Sequence, residues 1–159
     1  MSSINLTTTT RADRICIAFA GKIDENAAYG SINLNGKIKL EFDFDKVELI
    51  NSMGLQNWVS FMKGLPADVT IYFTKCPLRI VNQMNLFPGF IGERNVIVES
   101  FYAAYFCARC DGSFNNLLTR EDALRSGPGK AKSPVQNCPK CLKPMEFDGI
   151  EEKYFGCIK

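Results

Sequence analysis

From Lys37 to Phe44 apolar and charged residues alternate without a break: Lys37, Ile38, Lys39, Leu40, Glu41, Phe42, Asp43, Phe44. A period of two predicts a strand with one buried and one wet face. Asp45 to Ile50 reads as a turn, and Asn51-Ser52-Met53-Gly54-Leu55 follows it. Leu55, Trp58, Val59 and Met62 then fall on one face of a helix. Asn51 or Ser52 supplies the side-chain oxygen that an N-cap needs, and Gly64 followed by Pro66 is the stop. The unit is a strand, a polar tip with Ser52 exposed, and a helix over Ser52–Lys63.

The flanking segments extend this pattern. Thr-rich Ile4 to Thr10 is expected as an edge strand. In Ile15 to Ala20 the bulky Ile15, Ile17 and Phe19 alternate with small Cys16, Ala18 and Ala20, so Cys16 reads as packing. Val69 to Phe73 is a further strand. Cys76 to Met84 is a helix with Pro77 at its first position, ended by Pro88 and Gly89. Phe87, Phe90 and Ile91 lie in a turn-rich loop and read as a satellite cluster at the sheet edge, or as a partner contact. Asn95 to Phe106 reads as one long final strand. Strands alternating with helices predict an α/β domain, and the wet strand face predicts helices mainly on one face of the sheet.

Asp45, Val47 and the tip Asn51-Ser52-Met53-Gly54-Leu55, read with the strand before them, resemble the signature of the STAS domain. This is the fold of bacterial anti-sigma factor antagonists and of the cytoplasmic tails of sulfate transporters. The resemblance covers roughly residues 4 to 105 and implies a mixed β-sheet. It places the family's phosphorylated Ser or Thr at Ser52, with Asn51 standing where the antagonists usually carry Asp. Gly21-Lys22-Ile23-Asp24 resembles the Gly-x-Leu-Asp segment that ends the family's second strand. That implies Asp24 beside Ser52; the competing reading is that Asp24 caps a turn over Asn26 to Tyr29. The span from Asp24 to Lys37 is short, so the family's first helix is expected in shortened form. Partner docking is expected on Asp24, Asn51, Ser52, Met53 and Gly54, with Gly54 keeping the surface flat.

Two Cys-x-x-Cys pairs, Cys107/Cys110 and Cys138/Cys141, are separated by 27 residues. Two intervening residues let both sulfurs of a pair point at one centre, and four thiolates make a closed tetrahedral site. The pattern resembles a zinc ribbon with one structural Zn²⁺, with a hairpin over Met145 to Phe155 and a capped turn at Thr119 to Leu124. Ser126 to Pro134 reads as a flexible insert. The expected division is 1–105 for the STAS-like domain and 106–159 for the zinc-ribbon β module. Neither pair has the βαβ context of a thioredoxin-like redox site. A rubredoxin-like iron knuckle usually carries Gly after its second cysteine, where Asp111 and Leu142 stand. Cys157 reads as a buried thiol outside the set.

Composition narrows function by exclusion. There is no histidine, which removes Ser-His, Cys-His and His-metal mechanisms. No paired-carboxylate motif, phosphate loop or open metal position is legible, so the protein is expected not to be an enzyme. Residues 1–104 carry ten Lys/Arg and ten Asp/Glu, and residues 105–159 carry nine and seven. Four thiolates with one Zn²⁺ bring the second part to about zero. So weak a field argues against nucleic acid as the main partner, although a zinc-ribbon adaptor on nucleic acid is the alternative. There is no apolar run long enough to span a membrane and no signal-peptide pattern, so a cytoplasmic location is expected. The resemblance implies a bacterial signalling protein acting on a protein partner, of the anti-sigma factor or kinase kind. A homodimer is left open.

Overall fold

The computed structural model describes residues 2–127 and 129–159. β1 (Ile4–Thr10), β2 (Ile15–Ile23), β3 (Lys39–Ile50), β4 (Thr70–Thr74) and β5 (Val96–Val98) form one sheet in that order. β1 is antiparallel to β2 and the other neighbours are parallel, so the sheet is mixed. Parallel neighbours need crossovers: α1 (Ser52–Lys63) supplies the one from β3 to β4 and α2 (Leu78–Leu86) the one from β4 to β5, while residues 24–38 join β2 to β3 without a helix. Phe19, Phe42, Phe44 and Phe73 are fully buried on the face these helices cover. Trp58 of α1 stacks on Phe90 at 5.0 Å and donates its indole N–H to the Phe90 carbonyl at 2.9 Å. This is the expected α/β sheet with its helices mainly on one face.

The opposite face is polar but not bare. Glu41, 7% exposed, accepts from Arg11 and Arg14 and from the Cys16 thiol at 3.0 Å. Burial and the Glu41 carboxylate push that thiol up to about 12, which makes Cys16 an inert packing residue.

A second sheet has the order β7-β6-β8, from β6 (Ser100–Cys107), β7 (Gly112–Thr119) and β8 (Glu146–Phe147). α3 (Arg120–Arg125) follows β7, capped by the Thr119 hydroxyl as expected. α4 (Glu151–Tyr154) and a 3-10 turn over Phe155–Cys157 complete the chain's elements. The two sheets share one buried cluster, and the Tyr102 hydroxyl donates to Asp45 at 2.6 Å across them.

Several expectations are corrected. The stretch Asp45 to Ile50 is not a turn but the continuation of β3 past a bulge, which leaves Phe44 and Val47 both buried. The partner strand bends too, with Gly21 at φ +114, where a Cβ would lie 2.4 Å from the Ser3 carbonyl oxygen. No helix forms between Asp24 and Lys37. Pro77 is the N-cap of α2 and not its first residue. Phe90 belongs to the main core rather than to a satellite cluster. Asn95 to Phe106 is two strands that change sheet at Glu99. In place of a hairpin over Met145 to Phe155 there are the two-residue β8 and α4. Within the insert Pro128 lies outside the described residues, while Ala131 is buried and the Lys132 N–H donates to the Ala123 carbonyl at 2.9 Å.

Candidate functional site

Two constellations carry chemistry: the tip of α1 and the four cysteines. At the tip, Asn51 is the cap. Its Oδ1 accepts the Gly54 N–H at 2.8 Å, its carbonyl accepts the Leu55 N–H at 2.8 Å, and its N–H donates to the Ile23 carbonyl at 3.2 Å. The remaining polar group, Nδ2, donates to Glu25 Oε2 at 3.2 Å. That geometry gives a reason for amide over acid: Asp at 51 would set a carboxylate against Glu25. Ser52 is therefore free of capping duty. It is exposed, and its hydroxyl has no hydrogen bond among the described residues. Met53 beside it is 55% exposed. Ser52, Leu55, Gln56, Val59 and Phe87 line a cleft of about 400 Å³.

Gly54 and Asp24 have structural roles at the tip. Gly54 is buried, and a Cβ there would lie 1.7 Å from the Ile23 carbonyl oxygen. Its missing side chain lets α1 close onto the end of β2; it does not flatten an outer surface. Asp24 comes to the same place by its backbone, whose carbonyl accepts from Asn57 Nδ2 at 3.1 Å. Its carboxylate is engaged by the Ser3 hydroxyl and by the Asn26 N–H at 3.0 Å, and the Ser3 bond holds it below the usual carboxylate range. Asp24 thus caps the turn at Asn26, and Glu25 is the acid that reaches the tip. No period or motif marked Glu25; only its adjacency to Asp24 pointed that way. The sequence pattern marks Val59 only as a helix-face residue and Phe87 only as a loop residue; the fold makes them walls of one cleft.

The four sulfurs of Cys107, Cys110, Cys138 and Cys141 all lie within 4.8 Å of one another. Cys107 Sγ is 3.6 Å from Cys141 Sγ, and Cys138 Sγ is 3.9 Å from Cys110 Sγ. A tetrahedron with metal–sulfur bonds of about 2.3 Å has edges of about 3.8 Å, so the donor set fits a metal ion. The turns are prepared for thiolates: the Cys110 N–H reaches Cys107 Sγ at 3.4 Å and the Lys140 N–H reaches Cys138 Sγ at 3.4 Å. Burial pushes Cys138 up, but N–H groups of Cys141 and Lys140 outweigh it and hold the thiol at about 7. Hydrogen bonding to Cys141 and burial push Cys110 up to about 12. Asp111 and Leu142 both adopt left-handed φ, 51° and 64°. Each turn therefore forms without glycine, and these two positions do not separate zinc from iron. Cys157 lies outside the cluster, and burial pushes it up to about 11.

No protein-family model matches the chain, and no curated protein matches it. Among solved structures it is similar to the crystal structure of an anti-sigma factor antagonist from Mycobacterium paratuberculosis. The sequence identity is 13% and the TM-score 0.42, over 60% of this chain and 89% of that one. No helix among the described residues is long and apolar enough to cross a membrane.

Proposed function

We propose that the chain is a non-enzymatic regulatory protein that docks a protein partner at the tip of α1, with docking controlled by phosphorylation of Ser52. The observation that carries this reading is the division of labour at the tip. Asn51 does the capping, which leaves an exposed Ser52 hydroxyl that can change charge without unfolding the helix. A kinase would transfer the γ-phosphoryl of ATP to Ser52 Oγ, displacing the hydroxyl proton. The Ser52 and Met53 N–H groups have no protein partner among the described residues and point along the positive end of the helix dipole. A phosphate there is tolerated by the fold, while the partner meets about two added negative charges next to Glu25. Exposed Met53 and the cleft beside Phe87 supply apolar contact area.

The four cysteines hold one structural Zn²⁺, whose part is to tie the β6–β7 turn to the segment before β8. A closed set of four thiolates leaves no position for substrate. The test is intact mass spectrometry of the protein isolated from its native cytosol, with partner recovery from Ser52→Ala and Ser52→Asp. The expected result is one phosphate that Ser52→Ala removes, and a partner kept by Ser52→Ala and lost by Ser52→Asp at unchanged melting temperature. Equal recovery from both variants would make Ser52 only the first residue of a helix.

A further inference from the structure

β7 is an end strand of the second sheet, and among the described residues no strand pairs with its outer edge. It runs for eight residues, Gly112–Thr119. Two bonds fix which of its groups face outward. The Arg120 N–H donates to the Glu99 carbonyl at 2.8 Å, and the Asp148 N–H donates to the Ala104 carbonyl at 2.8 Å. In the register from Ser100↔Thr119 to Cys107↔Gly112, odd residues of β6 therefore bond even residues of β7. The N–H and C=O groups of Ser113, Asn115 and Leu117 point away from the sheet, and none has a protein partner among the described residues. All three residues are exposed, Leu117 to 47%. The first sheet offers less. β5 has three residues with Val98 buried, and in β1 Ile4 is buried with its N–H on Ser2 Oγ at 3.3 Å.

We infer that β7 pairs with β7 of a second copy of this chain, antiparallel across a two-fold axis at Asn115, to form one six-stranded sheet. Outward N–H and C=O groups call for another strand, which both donates and accepts. The strand itself favours its own copy. It reads Gly-Ser-Phe-Asn-Asn-Leu-Leu-Thr, with no charge, proline or bulge to ward off an identical edge. Nor does it hold a cation or an acid with which to select a charged peptide. Only odd residues face outward, so odd must meet odd. Thr119 caps α3, which leaves the register centred on Asn115 against Asn115, with Ser113 against Leu117. That pairing sets exposed Asp111, in no ion pair among the described residues, beside Thr119 and Arg120 of the second copy. Arg120 keeps its Nε on the Lys159 carbonyl, and a guanidinium has two further nitrogens that donate. The two-fold axis makes each of these contacts twice. The inference does not rest on Ser52, and its test leaves that residue untouched.

The test is sedimentation equilibrium of the full zinc-loaded chain over a concentration series, with amide exchange read on the same samples. The mass should rise from that of one chain to that of two, and exchange at Ser113, Asn115 and Leu117 should slow as it rises. Exchange at Phe114 and Asn116, already bonded to β6, should not change. Asn115→Pro removes an outward N–H and no bond to β6, so it should leave a monomer that still carries its metal. Asn115→Lys sets two like charges on the axis and should weaken association about fivefold. If the proline disturbs the strand, paired charges decide. Ser113→Glu with Leu117→Lys should associate as the wild type does, whereas Ser113→Lys with Leu117→Lys should weaken association about tenfold. The mass of one chain at every concentration, or a dimer that the Asn115 and lysine variants leave intact, would overturn the inference. A monomer whose Ser113, Asn115 and Leu117 amides slow only when an acetylated Thr/Val octapeptide is added would overturn it in favour of a strand from another protein.

Discussion

The tip of α1 and the cysteine cluster are both short turns, but they are held in opposite ways. The tip is held from behind. Trp58, Phe19, Phe42, Phe44, Phe73 and Phe90 fill the space beneath α1, and Gly54 lets the helix seat against Ile23. Ser52 itself contributes nothing to that support. The cluster lies where the β6–β7 hairpin meets the segment before the two-residue β8, and the four sulfurs are themselves that junction. Where packing sets the geometry, the exposed residue can change its chemistry. Where ligands set it, they cannot.

The sharpest way to break the second arrangement is to remove a ligand. Cys138→Ser should lose the metal and melt β7, β8 and α4 as an independent event, while β1 to β4 stay folded. Structural zinc sites contribute about 10–16 kcal/mol in small metal-dependent folds, far more than the remaining core of this region can replace. Metal content per chain and amide exchange along β7 against β3 measure it. Full metal retention would sink the assignment, and iron in the natively isolated protein would change the ion.

Trp58→Ala should do the reverse. It removes the ring stacked on Phe90 and leaves the Phe90 carbonyl without its donor. The cost is about 3–5 kcal/mol, or roughly 10 °C in melting temperature. Folded molecules of this variant should still carry metal, read by thermal melt and metal analysis on one sample. Loss of metal alongside stability would mean that the shared core, and not the thiolates, holds the cluster.

What was legible in the sequence follows the same division. The cysteine pairs and the Ser52–Lys63 helix rest on spacings of a few residues, which sequence displays directly. β7 leaves little mark in the sequence because Gly112 to Thr119, with Ser113, Asn115 and Asn116, has poor strand propensity. It is a strand because the turn at Cys107–Cys110 delivers it to β6, in register from Ser100↔Thr119 to Cys107↔Gly112. The change of sheet at Glu99 was hidden by apolar residues running through both strands. The bulge in β3 looked like a turn because two exposed residues, Asp45 and Lys46, interrupt the alternation. Ile150-Glu151-Glu152 could have been read as a helix start, since acids favour the first turn. Glu25 at the tip and the unpaired edge of β7 belong to tertiary structure and left no local mark.

The smallest effect concerns Asn51, where the resemblance to antagonists would place Asp. Asn51→Asp keeps an oxygen for the Gly54 N–H, and a charge at the helix N-terminus is worth about 0.3–1 kcal/mol in its favour. Against this, the variant loses the Nδ2 donor and sets a carboxylate where Glu25 Oε2 now lies 3.2 Å away. The group is exposed, so the repulsion is screened and of similar size. At low salt the losses should win narrowly, lowering the melting temperature by a few degrees. Added salt should narrow the gap, because it weakens repulsion between exposed carboxylates. Glu25→Gln in the same chain should restore the stability, since its amide can donate to the new carboxylate. Thermal melts of the wild type, both single variants and the double variant at two salt concentrations form the cycle. A stabilised single variant would mean that the Asn51–Glu25 contact contributes nothing at the tip, and that the amide at position 51 is there for a partner.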